Sequence, residues 1–197
     1  MKLTDIISGH IDAAEWEAKG YELPTFDIAA MRQKTYENPT WVHIGCGNIF
    51  RAFPAAILTD VLNAGKYDRG IIVAGTYDYE VIDKVYKPYD NLSLLVSLQS
   101  GGTVEKKVIA SVTEALKADY QFDDWDRLQE IFRKPSLQMV SFTITEKGYT
   151  VTDADLARGL QPDLAMGKVC ELLLERFRAG RLPLTLQSMD NCSHNGD

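Results

Sequence analysis

Apolar residues in this chain fall into short runs that alternate with longer amphipathic stretches. Trp41 to Gly45 is a compact apolar run, and the residues after it place Ile49, Phe53, Ile57, Val61 and Leu62 on one stripe that ends near Gly65. That spacing predicts a strand followed by a helix. Gly70 to Thr76 is almost wholly apolar, as a strand covered on both faces should be. A helix from Tyr79 to about Lys87 is stopped by Pro88. Leu92 to Leu98, then Ser100-Gly101-Gly102-Thr103, then Val104 to Val112 reads as a β-hairpin.

Asp123-Asp124-Trp125 opens a helix reaching Phe132, with acids in the first turn where the helix dipole favours them. Leu137 to Thr145 is the next strand. A long helix, about Asp163 to Arg178, carries Leu164, Cys170, Leu173, Leu174 and Phe177. Leu182 to Ser188 gives a last strand. Before all of these, Ala13 to Lys19 and Ile28 to Thr35 form short helices. We read residues 1–40 as an arm packed on a domain spanning 41–197. The order βαβα, hairpin, αβαβ predicts an α/β fold with a mostly parallel sheet, because right-handed crossovers place successive strands side by side. Ligands in such sheets sit beyond the carboxyl ends of the strands.

Composition narrows the classes. With 197 residues the chain fits one domain, and its 21 basic against 28 acidic residues, without a basic cluster, disfavour nucleic-acid binding. No apolar run approaches a membrane span, and the first residues lack a signal-peptide core. Cys46, Cys170 and Cys192 are too few and too scattered for a disulfide framework or a zinc site, so no metal is expected. A cytoplasmic location is the default expectation.

Four segments converge at the predicted ligand edge: the turn at Gly45 and Gly47, residues 76–78, residues 145–149, and residues 188–195. Two glycines one residue apart, between strand and helix, let a backbone approach a ligand and aim free N–H groups at an anion, commonly a dinucleotide pyrophosphate. The third glycine of G-x-G-x-x-G is Phe50 here, so the turn alone is also compatible with a plain strand–helix connection. Asn48 reads as an N-cap. Arg51, in the first turn where it opposes the dipole, reads as a phosphate ligand or as a solvated arginine. Asp78 closes the second strand, where a carboxylate accepts hydrogen bonds from both ribose hydroxyls of NAD and repels a 2′-phosphate. It lies further from the turn than the usual ~20 residues, which the long intervening helix explains. Ser141, Thr143 and Thr145 alternate with apolar neighbours and also fit packed strand hydroxyls. Glu146 and Lys147 follow at a strand's carboxyl end. His43 is expected to cap a core, and His194 is a minority candidate for a catalytic histidine. Asn191 and Asn195 form a turn with Asp190 and Gly196, or supply amide donors to a substrate carbonyl.

His43-Ile44-Gly45-Cys46-Gly47-Asn48-Ile49-Phe50-Arg51-Ala52 resembles the H-x-G-x-G-x-F-H-R-A turn of the mannitol dehydrogenase family of polyol-specific long-chain dehydrogenases. Val140 to Tyr149 is similar to that family's V-S-x-T-x-T-E-x-G-Y segment, and Ser188 to Gly196 to its S-C-D-N-x-x-x-N-G segment. The resemblance implies a Rossmann-type, doubly wound domain that binds NAD through Gly45, Gly47, Asn48, Ile49, Arg51, Asp78, Thr145 and Glu146. It implies that Asn191 is one of the amides holding the substrate oxygen during hydride transfer between a polyol or hexuronate and its keto form. Ile49-Phe50 departs from the family's Phe-His pair. The family's catalytic lysine, in a K-x5-N-x2-H motif, belongs to a helical C-terminal domain that does not occur within these residues; the fragment is therefore expected to bind NAD with little or no turnover alone. Two rivals stand beside this reading. An S-adenosylmethionine-dependent methyltransferase shares a glycine turn of this kind but needs an acid where His43 stands. A non-catalytic NAD-binding module would need no base.

Overall fold

A computed structural model of the chain describes residues 1–153, 162–191 and 195. Residues 1–40 hold α1 (Leu3–Ser8), α2 (Ala13–Ala18), β1 (Tyr21–Glu22) and α3 (Ile28–Glu37). Asp12 and Asp27 start α2 and α3, each accepting a hydrogen bond from the backbone N–H three residues on, at 3.2 and 2.9 Å. Next come β2 (Trp41–Ile44), α4 (Asn48–Ala52), α5 (Pro54–Asn63) and β3 (Ile71–Gly75). A short α6 (Tyr79–Val81) widens into a π-helical turn at Ile82–Tyr86 and tightens into a 3₁₀ turn at Lys87–Tyr89. The hairpin strands are β4 (Ser93–Leu98) and β5 (Val104–Ile109), followed by β6 (Val112–Lys117) and α7 (Asp124–Arg133). The remainder is β7 (Met139–Phe142), a 3₁₀ turn at Glu146–Tyr149, α8 (Ala165–Arg178) and β8 (Thr185–Ser188).

The main sheet runs β6-β3-β2-β7-β8, with every neighbouring pair parallel. The chain thus starts in the middle, fills one side, then returns to fill the other, and the order reverses between β2 and β7. Alternation of side chains along the strands divides the core in two. Val42, Ile44, Ile72, Ala74, Val140 and Phe142 face α7 and α8, where Leu128, Ile131, Phe132, Val169 and Leu172 cover them. Ile71 and Val73 face the other way, against Met31, Phe50, Leu58 and Leu62 from α3, α4 and α5. The mostly parallel sheet expected from the alternation of strands and helices, doubly wound as the resemblance implies, is what the chain forms.

The hairpin is a separate sheet. β4 and β5 pair antiparallel, and β1 adds to β5 as a parallel third strand. Sequence reading extended the second hairpin strand to Val112. Instead the strand stops at Ile109, and Val112 opens β6, which crosses back to pair with β3. A run of alternating residues does not record where one strand hands over to another.

The stripe Ile49, Phe53 and Ile57 was expected to face the core and does the opposite: these residues are 67%, 56% and 48% exposed. The helix breaks at Phe53 and restarts with Pro54 at its first turn. Its buried face is Phe50, then Ala55, Leu58, Thr59 and Leu62. A four-residue repeat drifts around a 3.6-residue helix, and the break resets the phase. The same inversion occurs in α8, where Cys170 and Phe177 are exposed while Val169, Leu172 and two charged residues, Lys168 and Arg176, are buried.

Arg176 explains its own burial. Its five guanidinium N–H groups donate to five main-chain carbonyls: Leu182, Phe132, Lys134, Leu137 and Pro183, at 2.7 to 3.1 Å. One side chain thereby satisfies the end of α7, the entry to β7 and the entry to β8, with no carboxylate involved. Arg176→Met should destabilise the domain by about 3 kcal/mol or more, since several buried carbonyls lose their donors at once. Arg133→Ala, which breaks an exposed pair with Glu175, should cost at most about 1 kcal/mol. Urea unfolding of both variants tests the contrast; similar midpoints would contradict it.

Candidate functional site

The glycine turn follows β2 at the point where the strand order reverses. Gly45 has φ +120°, and a Cβ built on it would lie 2.2 Å from the Thr143 carbonyl oxygen, so only glycine fits. Its N–H donates to Ala74 O at 2.9 Å, while Thr143 N–H donates to Ile44 O at 3.0 Å. The turn is therefore tied to β3 on one side and to the end of β7 on the other. Gly47 differs. Its φ is −75°, which any residue adopts, and a Cβ there would meet nothing within 4 Å. Gly47 is the residue that caps α4. Asn48, expected as the cap, is instead the first helical residue, and its Oδ1 accepts from Arg51. The main-chain N–H groups of Cys46, Gly47 and Asn48 have no hydrogen-bond partner among the described residues. Free main-chain donors beside open space at Gly47 are the kind of backbone that suits an anion.

Arg51 is folded onto the turn: it reaches Asn48 and the Cys46 carbonyl, and its guanidinium lies 5.6 Å from the centre of the Tyr86 ring. Tyr86 in turn donates to the Cys46 carbonyl at 2.9 Å. Ile49 is exposed beside them. A cavity of about 270 Å³ lies on this flank, lined by Asn48, Arg51, Ser93, Leu95 and Ile109. A larger cavity, of about 550 Å³, lies away from the strand ends, between the arm and the hairpin around Trp16, Tyr21 and Tyr89.

The other predicted residues line the same edge. Asp78 follows β3, is exposed, and has no hydrogen-bond partner for its carboxylate among the described residues; its carbonyl lies 4.0 Å from Cys46 Sγ. Thr145, Glu146 and Lys147 follow β7 and are exposed. Asn191 follows β8 and is exposed too. Asp190 joins the last two strands: its Oδ2 accepts from Ile144 N at 2.9 Å and from Tyr149 OH at 2.7 Å, and Tyr149 OH also lies 2.7 Å from Ser188 Oγ. Contacts thus run from Asp78 through Cys46 and Gly45 to Thr143, Ile144 and Asp190, and end at Asn191. His194, with Cys192 and Gly196, lies outside the described residues; Asn195 donates to Asp190 O at 2.6 Å.

Below the turn, His43 is fully buried, stacked on Phe50 and held by Ser141 Oγ and Thr143 Oγ1, each at 2.7 Å. Trp41 Nε1 also donates to Ser141 Oγ at 2.7 Å. The strand hydroxyls at 141 and 143 are therefore packing partners of His43. Burial lowers its pKa to about 3.

Sequence reasoning missed Lys168, Asp119 and Tyr79, which meet behind residues 76–78, and the clasp made by Asp190 and Tyr149. A signal was present for the first. Ala165, Lys168, Val169, Leu172 and Arg176 recur at helical spacing, so two charges occupy the inward stripe of α8. Among the described residues there is no cluster of three or more His, Cys, Asp or Glu side chains fit for a metal, and no helix long and apolar enough to cross a membrane.

Comparison with known proteins agrees with this fold. The family model described as the mannitol dehydrogenase Rossmann domain matches residues 39–197. A D-mannonate oxidoreductase of Thermotoga maritima is 53% identical over 94% of this chain and 36% of its own length. A mannitol 2-dehydrogenase of Cereibacter sphaeroides is 31% identical over 88% of this chain and 37% of its own. Among solved structures, the Pseudomonas fluorescens mannitol 2-dehydrogenase ternary complex with NAD and D-mannitol superimposes with a TM-score of 0.74 and 28% identity, covering 90% of this chain and 37% of that one. The chain spans just over a third of the length of the curated relatives it matches.

Two outcomes test the frame of the site. Gly45→Ala should fail to fold or melt far below the wild type in a circular-dichroism melt, because neither the positive φ nor the Thr143 carbonyl can yield. His43 is neutral in the fold, so protonation favours the unfolded chain: stability is complete above about pH 6.5 and falls as the pH drops toward 3, by about 2 kcal/mol at pH 5. Urea titrations at pH 7.5 and 5 should show that loss in the wild type and a smaller one in His43→Gln.

Proposed function

The chain belongs to the mannitol dehydrogenase family, as its Rossmann domain, and from that premise we propose that it binds NAD(H) for hydride exchange between a polyol or sugar acid and its keto form. The observation that carries the reading is Gly47. The open space at its missing Cβ, ringed by unpartnered N–H groups, is shaped for a pyrophosphate. Arg51 sits at the rim of that space, and Ile49 offers apolar surface next to it. Asp78 extends an unpaired carboxylate where the two hydroxyls of an adenosine ribose would meet it, and its charge disfavours a 2′-phosphate. Thr145 and Glu146 border the space between the turn and Asn191.

When bound, NAD supplies the hydride acceptor. Asn191 is the chain's own contribution to the reacting carbon: an amide donor that steadies the substrate oxygen as its charge changes. The proton of the alcohol needs a base as well. Lys147 is exposed and not directed by any partner among the described residues, so we assign the base to the part of a full-length relative that these residues do not match. The substrate's other contacts are expected from the same part.

Titration with NADH, followed by nicotinamide fluorescence, tests the reading directly. Gly47→Ala should fold with an unchanged melting temperature and bind NADH at least about tenfold more weakly, a loss near 1.4 kcal/mol. Asp78→Ala should lower the preference for NADH over NADPH by a similar factor. Binding of S-adenosylmethionine without NADH would overturn the assignment.

A further inference from the structure

Behind the loop that carries Asp78 lies a buried group that the reading above leaves unused. Lys168 is 2% exposed, and its Nζ donates to Asp119 Oδ2 at 2.6 Å, to Tyr79 OH at 2.8 Å and to the Thr76 carbonyl at 3.3 Å. Tyr79 OH lies 2.8 Å from Asp119 Oδ2 and 3.0 Å from the same Thr76 carbonyl. Asp119 Oδ1 accepts from Gln121 N at 3.1 Å. The three ammonium protons are all engaged; Lys168 and Tyr79 converge on one main-chain oxygen, and Asp119 holds both of them.

Stability gives this arrangement no clear reason to exist. A buried ion pair roughly breaks even against apolar residues of the same volume. Lys168 also lies in the first turn of α8, where a cation opposes the dipole. Its effect is local. Thr76 is the first residue beyond β3, Tyr77 is 91% exposed, and Asp78 has no side-chain partner among the described residues. Beyond main-chain bonds from Tyr79 and Val81 to the Tyr77 and Asp78 carbonyls and the weak Cys46 contact, residues 76–78 are held to the other described residues through the Thr76 carbonyl and the Tyr79 side chain.

We propose that Lys168, Asp119 and Tyr79 are positioning residues that set the height of the 76–78 loop, and with it the preference of the site for NAD over a dinucleotide carrying a 2′-phosphate. The inference rests on Asp78 meeting the adenosine ribose. A carboxylate that must accept from two vicinal hydroxyls tolerates little displacement, and a shift of about 1 Å is enough to forfeit such contacts. Repulsion of a 2′-phosphate weakens by the same movement. None of the three side chains needs to touch the ligand.

The test measures dissociation constants of NADH and NADPH for the 197-residue chain and two variants. Tyr79→Phe removes a single hydroxyl. Lys168→Met with Asp119→Leu replaces the charged pair together, so that no lone charge stays buried. Both should weaken NADH about fivefold or more and leave NADPH unchanged or tighter, so the NADH-to-NADPH preference falls by at least that factor, about one hydrogen bond's worth. A structural role alone would weaken both nucleotides together, and that result, or an unchanged ratio, overturns the proposal while leaving NAD binding intact. If the double variant does not fold, Tyr79→Phe decides alone. A wild-type chain that binds neither nucleotide overturns the dinucleotide reading and this proposal with it.

Discussion

How closely β2 and β7 run together at their carboxyl ends governs the ligand edge. Gly45 passes the Thr143 carbonyl at a distance that leaves no room for a methyl group. Because that approach is possible, β2 can hydrogen-bond β3 and β7 at once, and the turn leaves the sheet at the reversal of strand order. The ladder of Trp41, Ser141, His43 and Thr143 then fills the space beneath the turn with satisfied polar groups. The two glycines thus divide the work: one by being short inside the fold, the other by leaving space outside it.

Helix α8 carries the second organising device, two buried cations with opposite kinds of partner. Arg176 addresses only carbonyls and ties three chain segments at the amino-terminal side of the sheet. Lys168 addresses a carboxylate and a phenol at the carboxyl-terminal side. Burial opposes ionisation of Asp119, but hydrogen bonds from Lys168, Gln121 N–H and Tyr79 outweigh it and hold its carboxyl below the usual range. One helix therefore braces both ends of the sheet that the ligand edge is built on.

Most of this edge was legible in the sequence because it is written locally. An apolar run before two glycines, and hydroxyl-rich or acidic residues directly after apolar runs, mark strand ends without knowledge of the rest of the fold. The places where reading failed depend on information that sequence separation hides. Ile49, Phe53 and Ile57 formed a convincing stripe, yet the break at Phe53 rotated it outward. Val112 looked like the end of a hairpin because alternation continues across two sheets. Lys168 and Arg176 were passed over since charge at a core position makes sense only when its partners, tens of residues away, are known. Gly47 as the cap in place of Asn48 is a shift of one residue, of the size that helix ends commonly show.

The different partners of Arg176 and Lys168 give the domain a direction in which acid takes it apart. Carbonyl acceptors do not titrate, so the contacts of Arg176 are the same at any pH the chain meets. Asp119 does titrate. Its contribution is complete above the range of an ordinary carboxylate and disappears as the pH falls through its depressed value. Acid therefore weakens the amino-terminal attachment of α8, while the carbonyl contacts that Arg176 makes near its other end are unchanged.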